Sequence, residues 1–280
     1  MIEFQHVSAS YDEQIQILRD VSFTIQDGDF VAFVGTNGAG KSTTMRLMNG
    51  LIKPESGTVL IDGVPTTELR TSELARRVGF LFQNPDNQIC CNTVREELLF
   101  GFKATGADMA QAEQRVDRVI EQFAFNPDDD PFMLNRGTRQ LLALASVIVM
   151  EPPVVVLDEP TTGLDFRECI KVMDIIRGLY ERGTTIVMVC HDMEVVGDFA
   201  KSVIVMSAGK VVDQGETFAI LRNRETLAKA SLIPPQIVDI SMGLSIMHPE
   251  LAATPIAQAN DLRSMESAIL NAAQGGANRE

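Results

Sequence analysis

The run Gly35-Thr36-Asn37-Gly38-Ala39-Gly40-Lys41-Ser42 fits the spacing G-x-x-x-x-G-K-[ST]. Glycines let a backbone curl tightly enough for successive N–H groups to point inward at an anion. A lysine and a hydroxyl at the end of such a turn complete a cradle for a nucleoside triphosphate. Lys41 reaches the β- and γ-phosphates, Ser42 ligates Mg²⁺, and Thr43 adds a hydroxyl just beyond. A second pair, Asp158-Glu159, ends the apolar run Val154-Val155-Val156-Leu157. Asp158 is expected to hold Mg²⁺ through water. Glu159 is expected to act as general base on the water that attacks the γ-phosphate.

These groups need elements to hold them. Residues 30–34 are a continuous apolar run ending at Gly35, as in a strand buried on both faces, and residues 41–51 read as the helix that follows. The partial positive charge of that helix N-terminus favours phosphate. Further strands are expected at 59–61, 78–82, 154–157, 184–189 and 203–206. The run at 154–157 places Asp158 at the carboxyl end of a central strand, where ligands sit in open α/β sheets. Residues 93–125 read as helical up to Asn126-Pro127, 139–150 and 166–182 as helices, and 261–273 as a helix before a Gly-rich end expected to fray. Strands alternating with helices predict an α/β fold with a parallel sheet, preceded by β structure and interrupted by helices at 84–145.

Composition excludes several classes. Lys and Arg number 24 against 38 Asp and Glu, a formal charge of −14 in 280 residues. A protein that coats nucleic acid needs a basic face, so no nucleic-acid partner is expected. No uninterrupted apolar run approaches the ~18 residues of a membrane span. The N-terminus lacks a basic region followed by an apolar run, so no secretory signal is read there. Four cysteines without C-x-x-C spacing fit a reducing cytoplasm. Adjacent Cys90-Cys91 offers a redox pair or two small half-buried residues.

In order and spacing, residues 1–215 resemble the ATP-binding subunits of ABC transporters. The resemblance implies a P-loop NTPase fold: a RecA-like parallel sheet core, an N-terminal antiparallel β subdomain and an inserted α-helical signature subdomain. It implies ATP and Mg²⁺ as ligands and Tyr11 as the aromatic that stacks on adenine. By the same resemblance, Gln83 is expected to join the Mg²⁺ and water shell, and His191 to contact the γ-phosphate. Thr161-Thr162-Gly163-Leu164-Asp165 is similar to the loop that couples two subunits, with Asp165 at the interface. The family signature, roughly Leu-Ser-Gly-Gly-Gln, is here Leu134-Asn135-Arg136-Gly137-Thr138. Gly137 is kept, while Asn135 stands where the serine hydroxyl would serve the nucleotide of the opposite subunit. That departure implies a weakened opposite site and favours a heterodimer over a homodimer.

The run Gln83-Asn84-Pro85-Asp86-Asn87-Gln88 is most similar to ATPases of energy-coupling factor transporters, which import vitamins and metal ions. There the run lines a groove for coupling helices of integral membrane transport subunits, and its polar side chains are expected to bond a helix end. Ser231 to Ile237 resembles the start of a C-terminal extension in that group, so 216–280 is expected to be a pairing segment. The expected location is the cytoplasmic face of the cell membrane, peripherally bound. The alternatives are the ATPase of another ABC transporter type or a largely non-catalytic regulatory ATP-binding subunit. Only one phosphate loop, no long heptads and no guanine-reading N-K-x-D speak against translation factors, repair ATPases and GTPases.

Overall fold

The computed structural model describes residues 1–11 and 16–277, the side chains of 274–277 excepted. Two sheets enclose a first core. An antiparallel sheet contains β1 (Ile2–Ser10), β2 (Gln16–Ile25), β4 (Ser56–Ile61) and β5 (Val64–Pro65), in the order β2-β1-β4-β5. The larger sheet contains β3 (Phe30–Gly35), β6 (Val78–Leu81), β7 (Val154–Asp158), β8 (Thr185–Val189), β9 (Ser202–Ser207) and β10 (Lys210–Glu216). Its order is β10-β9-β3-β8-β7-β6. Only the β9–β10 pairing is antiparallel.

The apolar strands of the larger sheet are explained by burial on both faces. Alternate residues of β3 enter different cores: Val31 and Phe33 join one, Phe30, Ala32 and Val34 the other. The strands β7 and β8 divide in the same way, so a polar residue at any of these positions would be buried. The core between the sheets also takes Met45, Leu47 and Met48 of α1 (Lys41–Met48). The opposite core is covered by α3 (Val94–Thr105), α5 (Arg136–Ile148), α6 (Phe166–Glu181) and α7 (Met193–Phe199). A short α2 (Thr71–Arg77) precedes β6, and α4 (Met109–Phe123) packs on α3.

Three expectations are corrected. The helical pattern over 93–125 is two helices, not one. Gly106 ends α3 in a left-handed conformation at φ +67°, and Asp108 caps α4. The helix expected from Arg139 begins at Arg136, capped by Asn135. Asp158 ends β7, an interior strand next to the edge strand β6; β3 and β8 hold the centre of the sheet.

Among the described residues, the elements after β10 are all helices, joined by loops: α8 (Thr217–Leu221), α9 (Arg224–Lys229), α10 (Gln236–Met247), α11 (Pro255–Gln258) and α12 (Leu262–Ala277). The backbone of the Gly275-Gly276 end, expected to fray, is helical as far as Ala277, and 278–280 lie outside the described residues. Ile256, Ala259, Met265 and Ala268 form a small separate core. Arg222 ties this segment to the rest. Its guanidinium donates to Asn260 Oδ1 (2.9 Å), Ala257 O (2.9 Å), Ser241 Oγ (3.0 Å) and Ala259 O (2.6 Å).

Charge-assisted hydrogen bonds of this kind contribute about 1.5–3 kcal/mol, and their loss leaves buried acceptors unpaired. Arg222→Ala is therefore expected to raise hydrogen–deuterium exchange across α10, α11 and α12 while β3, β7 and β8 keep their protection. Unchanged exchange in the tail would show that its small core suffices without Arg222.

Candidate functional site

Parallel pairing sets the level of the strand ends. Phe33 and Asp158 both stand opposite Val189, Leu157 opposite Leu81, and Gly35 opposite Met206. The segments that follow β3, β6, β7 and β8 therefore leave the sheet along one edge. They carry the phosphate loop, Gln83, Glu159 and His191 respectively. Gly35 is required at its position. It sits at φ +142°, and a Cβ there would lie 2.0 Å from Met206 O.

The phosphate loop closes onto α1 through Gly40, which adopts φ +99° and offers no side-chain cap. The helices α3, α4, α6 and α7 are capped by Thr93, Asp108, Asp165 and Asp192. The α1 terminus thus keeps N–H groups directed into the loop, an arrangement suited to phosphate. Lys41 is buried, and its Nζ donates to Gly35 O (2.8 Å) and Thr36 O (3.0 Å). Burial lowers the Lys41 pKa, while Glu159 and Asp158 act to keep it charged. Thr36, Asn37, Gly38 and Ala39 form the turn between Gly35 and Gly40, with Asn37 and Gly38 exposed at its tip.

Asp158 is buried, and Ser42 Oγ donates to its Oδ1 at 3.1 Å. Burial raises the Asp158 pKa, and the Ser42 hydrogen bond opposes that. A hydroxyl beside a carboxylate is a hard-oxygen pair of the type that suits Mg²⁺. The residues present therefore fit the ion expected from the sequence.

Glu159 is the most connected side chain of the site. Its Oε2 accepts from Gln83 Nε2 (2.7 Å) and Thr162 Oγ1 (2.9 Å). His191 Nε2 lies 2.7 Å from its Oε1. An ionised carboxylate only accepts, so this contact is a hydrogen bond in the form of His191 that carries a proton on Nε2. The Glu159 backbone sits at φ +51°, an unfavourable conformation for a residue with a Cβ, and its N–H donates to Val189 O (3.1 Å). The structure thus brings Lys41, Ser42, Gln83, Asp158, Glu159 and His191 to one place. Thr162 is the functional candidate that sequence reasoning missed. It stood in the run 161–165, but no spacing rule marks a hydroxyl that folds back three residues.

Tyr11 is 54% exposed beside α1, where its hydroxyl accepts from Arg46 Nη1 (3.0 Å) and lies 3.4 Å from Thr43 Oγ1. Residues 12–15, which follow it, lie outside the described residues. Asn135, Gly137 and Thr138 stand apart: no hydrogen bond among the described residues joins them to the phosphate loop. Asn135 Oδ1 accepts from Thr138 N (2.9 Å), and a Cβ on Gly137 would lie 1.7 Å from Glu168 Oε1. Asp165 caps α6, accepting from Glu168 N at 2.8 Å. Arg136 Nη2 donates to Thr162 O (3.1 Å), which joins the Asn135–Thr138 turn to the loop that holds Glu159.

Most polar side chains of the 83–88 run, expected to face a partner, are bonded within the chain. Asn84 caps a short turn, Asp86 pairs with Arg139 at 2.9 Å, and Gln88 Nε2 donates to Ala143 O (2.7 Å) and Ser146 Oγ (3.0 Å). The adjoining groove, about 350 Å³, is lined by Asn87 and Gln88 of the run together with apolar Leu51, Phe80, Phe82 and Phe100.

Comparison with known proteins gives a consistent picture. The family model described as ABC transporter matches residues 18–162. The energy-coupling factor transporter ATP-binding protein EcfA of Methanothermobacter thermautotrophicus is 35% identical over 244 residues, covering 86% of this chain and 78% of that protein. The chain spans 43% and 42% of the length of two other curated relatives, from Caldanaerobacter subterraneus and Methanosarcina mazei, at 36% and 37% identity. Among solved structures, cbiO1 of Clostridium perfringens, part of the ABC transporter complex cbiONQ, superposes with a TM-score of 0.72 at 28% identity. It covers 89% of this chain and 96% of that one. The cassette MJ0796, a dimer in a post-hydrolysis state bound to ADP and Pi, gives 0.68 at 29% identity, covering 78% and 99%. With its P-loop NTPase α/β fold and a phosphate loop set beside Asp158 and Glu159, the chain belongs to the ABC transporter ATP-binding family.

Proposed function

We propose that this chain is the ATP-binding and ATP-hydrolysing subunit of an energy-coupling factor type importer for a vitamin or metal ion. The observation that carries the reading is the meeting of Lys41, Ser42, Asp158, Glu159, Gln83 and His191 at one sheet edge. The names of EcfA and of cbiO1 support the transporter type. The 1–215 portion serves as the cassette with its helical insertion at 84–145, and 216–280 as a pairing segment. Exposed Ile240, Ile246, Met247, Leu262 and Ile269 give the tail apolar surface for that contact. Two cassettes pair head to tail around ATP, each lending Asn135, Gly137, Thr138 and Asp165 to the opposite site. The apolar groove beside Phe82 and Phe100 receives a helix of an integral membrane subunit, and the chain works on the cytoplasmic face of the membrane. No helix among the described residues is long and apolar enough to cross a bilayer.

The chemistry follows from the residues. Lys41 exchanges the carbonyls of Gly35 and Thr36 for phosphate oxygens as the triphosphate enters the loop. Tyr11 stacks on the adenine. Ser42, Asp158 and Gln83 would hold Mg²⁺, which would neutralise phosphate charge. Glu159 takes the proton of the attacking water, and Gln83, Thr162 and His191 keep its carboxylate aimed. Loss of the γ-phosphate removes the contacts that hold the two subunits closed, and the opening moves the membrane partner through its groove.

Glu159→Gln is expected to leave ATP affinity unchanged and to lower turnover by roughly 10²–10⁴-fold, with a long-lived closed dimer visible by size-exclusion chromatography. Turnover near the unmodified rate would remove Glu159 from the base role. Lys41→Ala is expected to abolish binding of a fluorescent ATP analogue; retained binding would overturn the loop assignment. Asn and Ser cap helices about equally well, so Asn135→Ser should leave Tm unchanged while raising ATP turnover of the assembled complex. No gain would mean that Asn135 does not weaken the opposite site.

A further inference from the structure

One cluster of ligand-type side chains lies outside the nucleotide site. A sulfur from each of Cys90 and Cys91 and a carboxylate oxygen of Glu97 all lie within 4.8 Å of one another. Adjacent side chains of an extended strand point to opposite faces, so gathering both sulfurs beside one carboxylate requires a shaped loop. Glu97 shapes it: its Oε2 accepts the N–H groups of both Cys90 and Cys91, each at 2.9 Å. Both donors go to one oxygen, which leaves Oε1 uncommitted to the loop backbone.

The second observation concerns charge. Glu97 is only 3% exposed, and no Lys, Arg or His among the described residues pairs with it. Buried carboxylates are ordinarily paired with a cation or coordinate a metal. The neighbours that Glu97 does have are two thiols, which become ligands when a cation displaces their protons.

We propose that Cys90, Cys91 and Glu97 form a binding site for a borderline-soft divalent cation of the zinc class, with a fourth position left to water. Two sulfurs and one oxygen suit Zn²⁺ and disfavour Mg²⁺, which requires six oxygen ligands. On binding, the thiols release their protons to solvent and the cation neutralises the cluster. The site lies between the 83–88 run and α3, and Glu97 also lines the groove with Phe82, Gln88 and Phe100. A bound cation would tie this loop to α3. An effect of that tie on a membrane partner rests on the reading given under Proposed function; the cation site does not.

The test uses the full chain, reduced and free of nucleotide. Cd²⁺ serves as a probe for its thiolate-to-metal ultraviolet band, and Zn²⁺ affinity is read by competition with a chromophoric chelator. The unmodified chain should bind one equivalent and show the band. The double variant Cys90→Ser, Cys91→Ser should lose the band and weaken Zn²⁺ binding by roughly tenfold or more. Cys169→Ser and Lys41→Ala should retain both signals, which separates this site from the remaining thiols and from the nucleotide site. Glu97→Gln should weaken Zn²⁺ binding; because Glu97 also shapes the loop, the cysteine variants carry the decision. No band in the unmodified chain, or a band and affinity that survive loss of both cysteines, would overturn the proposal. Neither readout involves ATP, so they stand or fall separately from the ATPase assignment.

Discussion

The parallel hydrogen-bond ladder of β3, β8, β7 and β6 is the constraint on which the rest of the molecule depends. Its register aligns Phe33 with Val189, Val189 with Asp158, and Leu157 with Leu81. Four chain segments far apart in sequence therefore leave the sheet at one level. Two apolar cores clamp the ladder from opposite faces, and a one-residue slip would turn every core side chain of a strand to the wrong core. Strand pairing and burial together thus hold the functional groups in place, with no dedicated scaffold of their own.

Glu159 shows how that alignment becomes chemistry. Its carboxylate is held by Gln83 after β6, Thr162 after its own strand and His191 after β8. Each partner belongs to a different segment, so a change in any one of them alters the aim of the same carboxylate. The φ of +51° at Glu159 is an unfavourable conformation that the surrounding ladder maintains. Through Thr162, the hub also reaches Arg136 at the start of α5. The helix expected to serve an opposite nucleotide is therefore in contact with the loop behind this chain's own candidate base.

The groove near the 83–88 run shows what residue types alone leave open. Asn, Asp and Gln in a Pro-containing turn suggest a polar docking face. The turn also uses some of those groups to hold itself against α5, through Asp86 with Arg139 and Gln88 with Ala143 and Ser146. Gln83, Asn84, Asp86 and Asn87 stay exposed on the turn, and the groove beside them adds apolar surface, with Phe100 49% exposed.

The sequence by itself determined the phosphate loop, the strands β3, β7 and β8 and the acidic pair 158–159. Each of these is local: a glycine spacing, a doubly buried apolar run, a charge at the end of such a run. Helix breaks were half legible. Gly106 and Asp108 are ordinary stop and start residues, but the apolar repeat continues across them and hides the break. The tertiary structure decided the strand order that puts β7 beside the edge, the partners of Glu159, the burial of Glu97 beside two cysteines and the grip of Arg222 on the tail. Glu97 meets its cysteines, and Glu159 meets Thr162, within a few residues, but the other features depend on contacts between residues far apart in the chain. No spacing in the chain encodes such contacts until the cores have closed and the ladder has set its register.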